Sequence, residues 1–174
     1  MPASSKRYVA FLRGVSPLNA KMPALKRAFE LAGFSDVRTL LTSGNVVFSA
    51  RPATEAALAR RAEAAMKQHV DRSFVTFVRS VDALRTLLES EPFLGVPAKR
   101  GFKRVVTFLE AAPTTKLPLP IQIEGVRIIA IVGREVFGDY RERDRGPAFM
   151  QLLQKTFGKS ITSRTWQTVE KAAR

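Results

Sequence analysis

Val37-Arg38-Thr39-Leu40-Leu41-Thr42-Ser43-Gly44-Asn45-Val46-Val47-Phe48-Ser49 is the stretch on which the fold turns. Val37 to Thr42 is rich in β-branched and apolar residues, and Val46 to Ser49 repeats that character. Between them stand Ser43, Gly44 and Asn45, residues that accept the positive φ of a tight turn. The stretch therefore reads as a β-hairpin.

Working outward on the N-terminal side, Tyr8 to Arg13 reads as a strand running into a Gly-Val-Ser-Pro loop. Pro23 then opens a helix, with Leu25, Ala28, Phe29 and Ala32 at helical spacing and Gly33 at its end. On the other side Thr54 caps a second helix, with Leu58, Ala62, Ala65 and Met66 as its apolar stripe. Ser73 to Arg79 alternates as a strand. Strand, helix, strand, strand, helix, strand is the order of a split βαβ, or ferredoxin-like, unit. The expectation is an α+β protein of two ferredoxin-like lobes with mainly antiparallel sheets. The first lobe spans residues 5–80. A second, looser α+β lobe over 81–174 is expected to pack on the first.

The second half holds a helix over Val81 to Ser90, a loop punctuated by Pro92, Gly95 and Pro97, and a strand over Lys103 to Glu110. Ala111 to Pro120 is proline-rich and reads as irregular. Val126 to Val132 and Glu135 to Tyr140 form a hairpin around Gly133-Arg134, and Pro147 opens a long helix ended by Gly158. Ile161 to Trp166 reads as a last strand, and Gln167 to Arg174 as a short helix or a frayed tail.

Charge is the outlying property. The 174 residues carry 29 lysines and arginines against 15 acidic residues, a formal +14. Such an excess attracts polyanions, but a well-solvated basic surface has the same composition. The absence of cysteine excludes disulfides, thiolate zinc sites and cysteine nucleophiles. His69 is the single histidine, so histidine clusters cannot form within one chain. No metal and no cofactor are expected. The apolar runs are too short for a signal core or a membrane span, so the expected location is the cytoplasm, without a membrane partner.

Several blocks carry a family resemblance. They are Leu12-Arg13-Gly14-Val15, Met22 and Leu25, Ala32-Gly33-Phe34, Val37-Arg38-Thr39, and Thr42 through Phe48. Val106-Thr107-Phe108-Leu109 and the terminal Thr162-Ser163-Arg164-Thr165-Trp166-Gln167-Thr168-Val169 complete the set. In order and spacing they resemble the domain of unknown function 1697 family. The resemblance implies ferredoxin-like α+β lobes and no particular activity. The chain departs from the family pattern at Ser16-Pro17-Leu18-Asn19, where members have a stretch like Asn-Val-Gly-Gly. It departs again at Thr165, where they have asparagine, so any amide contact there is lost.

Candidate sites follow from loops and strand ends. Arg13 and Gly14 leave the first strand in a loop that leads to a helix N-terminus, a place where phosphate can bind, although neither nucleotide fingerprint is present. Ser43, Gly44 and Asn45, with Arg38 on the strand leading in, offer a polar turn able to hold an oxyanion. The neighbouring first and third strands of a split βαβ unit would bring these two groups to one end of the sheet. Arg164 and Trp166 read either as a stacking platform for a planar anion or as a core anchor. Arg104 lies in Arg100-Gly101-Phe102-Lys103-Arg104-Val105-Val106-Thr107, a partial match to an RNA-recognition strand that lacks two of its stacking rings. Arg141 to Arg145 alternates sign and reads as a self-paired loop with room for a phosphate clamp.

Two functions fit these residues. One is a binding module for an anionic partner, nucleic acid or a nucleotide phosphate. The other is a small-molecule enzyme with its pocket between the lobes.

Overall fold

The structure, a computed structural model, describes residues 4–114 and 116–174. Thr115, in the proline-rich connection, lies outside the described residues. Two compact units make up the chain: residues up to Thr86 together with Ala172–Arg174, and Leu87–Lys171.

The first unit runs β1 (Lys6–Leu12), α1 (Met22–Leu31), β2 (Ser35–Leu40), β3 (Asn45–Ala50), α2 (Glu55–His69), β4 (Thr76–Ser80). Its four-stranded sheet has the order β2-β3-β1-β4, and each pairing is antiparallel. Successive strand residues point to opposite faces, so Tyr8, Ala10 and Leu12 share one side of β1. There they meet Leu25, Ala28 and Phe29 of α1 and Leu58, Ala62 and Met66 of α2 in one buried cluster. The Phe48 ring sits at its centre, 4.4 Å from the Phe34 ring and 5.8 Å from Tyr8. Thr54 Oγ1 accepts from the Ala57 N–H at 3.2 Å, and this cap, together with Glu55, fixes the start of α2. The C-terminus belongs to this unit because Arg85 Nε donates to the Ala173 carbonyl at 2.9 Å. Arg85 stands on α3 (Val81–Glu89), the helix in which the division between units falls.

The second unit contains β5 (Phe102–Leu109), β6 (Ile121–Ile123), β7 (Val126–Val132), β8 (Glu135–Arg141), α4 (Gly146–Phe157), β9 (Ile161–Thr165) and most of α5 (Trp166–Ala172). The five strands are ordered β6-β7-β8-β5-β9, again antiparallel throughout. Phe149 and Leu153 of α4 pack on Val105, Leu109, Ile128, Val136 and Ile161. Gly138 makes that approach possible. A Cβ there would stand 2.5 Å from the Arg127 carbonyl and 2.9 Å from the Phe149 ring.

Besides element ends that shift by a residue or two, three elements differ from the sequence expectation. The β2–β3 turn is Leu41–Gly44, with Leu41 at φ 59° and Gly44 at φ 83°, so β2 stops at Leu40 and Asn45 is already a strand residue. β4 begins at Thr76 rather than Ser73. Glu63 Oε1 accepts from the Thr76 N–H, and the Ser73 hydroxyl donates to the Glu63 carbonyl, which ties the approach to α2, while the Val75 carbonyl accepts from the Arg13 N–H beyond the end of β1. β6 was not expected, since three residues are too few to display alternation.

Candidate functional site

A cleft of about 620 Å³ lies in the second unit. Its walls come from three places: the loop ahead of β5 with the strand's first residues, the end of β8, and the first turn of α5. Lys99, Phe102, Lys103, Arg104, Trp166 and Glu170 are its chemically distinctive lining residues. An adjoining cleft of about 410 Å³ shares Arg104, Trp166 and Glu170 and adds Phe93 and Leu94.

The antiparallel register builds the centre of this site. Thr165 pairs with Val105, so the next residue of that chain, Trp166, emerges beside Arg104. There the chain turns into α5. Thr165 Oγ1 accepts from the Thr168 N–H at 3.3 Å and so caps the new helix. Asparagine and threonine both perform that task, so the substitution at Thr165 keeps a capping residue in place. The Trp166 ring is held edge-on by Phe93 at 5.4 Å and Phe137 at 5.9 Å, and it remains half-buried at the cleft wall. Arg104 lies over the Phe93 ring at 4.8 Å and donates to the Val96 carbonyl at 2.8 Å. These contacts fix its guanidinium without neutralising it: among the described residues no carboxylate lies within ion-pair distance of Arg104. Lys99 stands over Phe102 at 5.4 Å, likewise without a carboxylate partner.

Two of the three carboxylates lining the 620 Å³ cleft are engaged. Lys103 Nζ meets Glu142 Oε1 at 2.9 Å, and that hydrogen bond raises the lysine above its ordinary value. Asp139 is fully buried and bound through both oxygens to Arg127, whose Nε donates at 2.8 Å; this bond raises the arginine in turn. Glu170 is the third, and among the described residues no cation lies within ion-pair distance of it.

The other sequence candidates fall elsewhere. Arg164 is buried on β9, opposite Val106, and donates to Thr162 Oγ1 at 2.7 Å and to the Ser163 carbonyl at 2.8 Å. Burial pulls its guanidinium down to about 10. It does not line the cleft with Trp166, but a smaller one of about 280 Å³ with Tyr140, Phe149 and Ser163.

In the first unit the backbone brings the loop after β1 and the β2–β3 turn to one end of the sheet. The Leu12 N–H donates to the Gly44 carbonyl at 2.8 Å, and Gly44 abuts Val15, next to Arg13 and Gly14. Asn45, however, is fully buried. Its Nδ2 donates to the Leu40 carbonyl at 3.0 Å and to Ser43 Oγ at 3.1 Å, so the amide closes the turn. The altered loop is closed in the same way, with Asn19 Nδ2 donating to the Gly14 carbonyl and Asn19 Oδ1 accepting from the Ser16 N–H. Arg38 is exposed on edge strand β2, close enough to Arg7 to help lower that arginine, behind the larger effect of Arg7's own burial. Arg141 pairs with Asp144 at 2.7 Å, the self-paired arrangement expected of that loop.

Lys99 and Glu170 escaped the sequence reading. Glu170 was detectable: once Trp166 is taken as a helix start, Glu170 stands on the same face one turn later. Among the described residues no group of three or more His, Cys, Asp or Glu side chains could hold a metal ion, and no helix is long and apolar enough to cross a membrane.

Comparison with curated proteins gives no match. Among solved structures, a conserved bacterial protein from Streptococcus pneumoniae superposes with a TM-score of 0.68 over 98% of both chains, at 17% identity. That likeness is one of fold. The family model described as "Protein of unknown function (DUF1697)" matches residues 5–137, most of the chain, including both strands of the decisive hairpin. The chain belongs to the DUF1697 family.

Proposed function

We propose that the protein is a binding module for a phosphate-bearing ligand with a planar base, a nucleotide or a single strand of nucleic acid. The observation that carries this reading is the pairing of Arg104 with Trp166 at the wall of the 620 Å³ cleft. A guanidinium that no carboxylate neutralises suits a phosphate, and a half-buried indole offers stacking surface to any base. Lys99 adds a second cation, and the +14 balance steers anions towards the molecule. The cleft volume falls within the range of small-ligand sites, about 300–1,000 Å³. On this reading the protein works in the cytoplasm, where such ligands are found.

We also infer that both units are ferredoxin-like lobes. In the first, the order β2-β3-β1-β4 with helices after β1 and β3 supports this directly. In the second, β7-β8-β5-β9 repeats the same order. There the proline-rich connection and edge strand β6 replace the first crossover helix.

Trp166 is the only tryptophan, so its fluorescence reports on the site without a label. Titration with adenosine monophosphate and with a short oligoadenylate, across a salt series, should quench it. A preference for the nucleotide identifies a small-ligand site. A preference for the oligomer, with a salt slope of about −0.7 per phosphate contact, identifies a strand. Absence of quenching and of anisotropy change with either probe at low salt overturns the reading.

A further inference from the structure

We propose, resting on the reading just given, that Glu170 makes the cleft selective for ribonucleotides by accepting hydrogen bonds from the ribose hydroxyls. In a cleft for anions, a carboxylate without a partner is a liability unless it meets part of the ligand. Asp139 and Glu142 are held by Arg127 and Lys103, so neither is available. Glu170 is, and its place is set by the helix. It follows Trp166 by four residues on α5, and both side chains line both clefts. Positions four apart on a helix lie about 5–6 Å apart at Cβ. A base stacked on the indole therefore carries its sugar past the carboxylate. An ionised carboxylate only accepts, through two oxygens, and a ribose offers two hydroxyl donors on adjacent carbons. Arg104, bordering the same two clefts, remains for the phosphate. A deoxyribose lacks the 2′-hydroxyl and leaves one carboxylate oxygen without its donor.

The test titrates Trp166 fluorescence with the four ribonucleoside monophosphates and their 2′-deoxy counterparts, using the wild-type protein and Glu170→Gln. The expected result is a preference of roughly tenfold for the ribo forms in the wild type, the scale of a hydrogen bond to a charged group. In Glu170→Gln the ratio should fall, because the amide offers one accepting oxygen where the carboxylate offers two. Equal binding of ribo and deoxy forms by the wild type overturns the ribose role while leaving the binding function standing. No binding of any probe overturns both. The wild-type comparison needs no variant, so a folding defect in Glu170→Gln would not obscure it.

Discussion

Replacing Gly44 by alanine separates two costs that most glycine substitutions mix. Gly44 has φ 83°, and a Cβ there would stand 2.8 Å from Val15 Cβ and 3.1 Å from Leu12 Cβ. Gly14 has nearly the same backbone, φ 80°, but a Cβ added to it would meet nothing within 4 Å. For both, the left-handed conformation costs a β-carbon residue roughly 1–2 kcal/mol. Reduced freedom of the unfolded chain returns about 0.4–1 kcal/mol. Gly14→Ala should therefore cost roughly 1 kcal/mol or less. Gly44→Ala carries the same terms plus overpacking of about 1–3 kcal/mol, because Val15 and Leu12 meet the new carbon with their own β-carbons and cannot rotate away. The sum is roughly 2–4 kcal/mol. Urea unfolding followed by circular dichroism and Trp166 fluorescence measures both variants. At the middle of that range and of an ordinary slope of about 1–3 kcal/mol/M, the Gly44→Ala midpoint should drop by about 1.5 M. Equal midpoints for the two variants would refute the reasoning, since only the Val15 and Leu12 contacts distinguish them.

Three further outcomes are expected. Arg127→Met should destabilise by about 3–5 kcal/mol in the same urea assay, because it strands the buried Asp139 carboxylate; replacing both partners by apolar residues should recover much of the loss. Glu142→Gln should cost less than about 1 kcal/mol at neutral pH, since both side chains of its pair are substantially exposed. Lys103 is raised by that pair, so the stabilisation is whole below the ordinary lysine value of 10.5 and disappears as pH rises through the folded value. Wild type and Glu142→Gln should therefore converge in alkaline melts and differ at neutrality. Trp166→Ala, read by fluorescence anisotropy of a labelled oligoadenylate, should weaken binding by about 1–3 kcal/mol through lost stacking. Arg164→Lys, which lies outside the cleft, should leave that affinity unchanged.

Much of the fold was readable because its elements are marked locally. Gly44 in the β2–β3 turn, the Thr54 cap and Pro23 each announce a boundary through the chemistry of a single residue. Errors arose where a distant residue intervened. Leu41 continues the apolar pattern of β2, yet it adopts φ 59° and closes the turn. Ser73 to Val75 alternate as a strand should, but Ser73 is tied to Glu63, ten residues away, and the strand pairing begins only at Thr76. Alternation reports which face a side chain prefers; it does not report whether a neighbouring strand is present to pair.

The candidate site residues were harder to read for a related reason. Arg164 and Arg104 are alike as letters in basic, β-rich stretches, and both are on strands of one sheet. One is buried against the hydroxyl and carbonyl of its own strand, while the other is held at a cleft by an aromatic ring and a carbonyl eight residues away. The difference lies in what surrounds each strand end, and for Arg104 that includes Trp166, sixty-two residues later in the chain. Glu170 shows the same dependence on one boundary. Read as the last residue of a strand, Trp166 has no relation to Glu170. Read as the first residue of a helix capped by Thr165, it places the carboxylate one turn above the ring. Moving that boundary by one residue turns two unrelated side chains into the ring and the acceptor of the site proposed above.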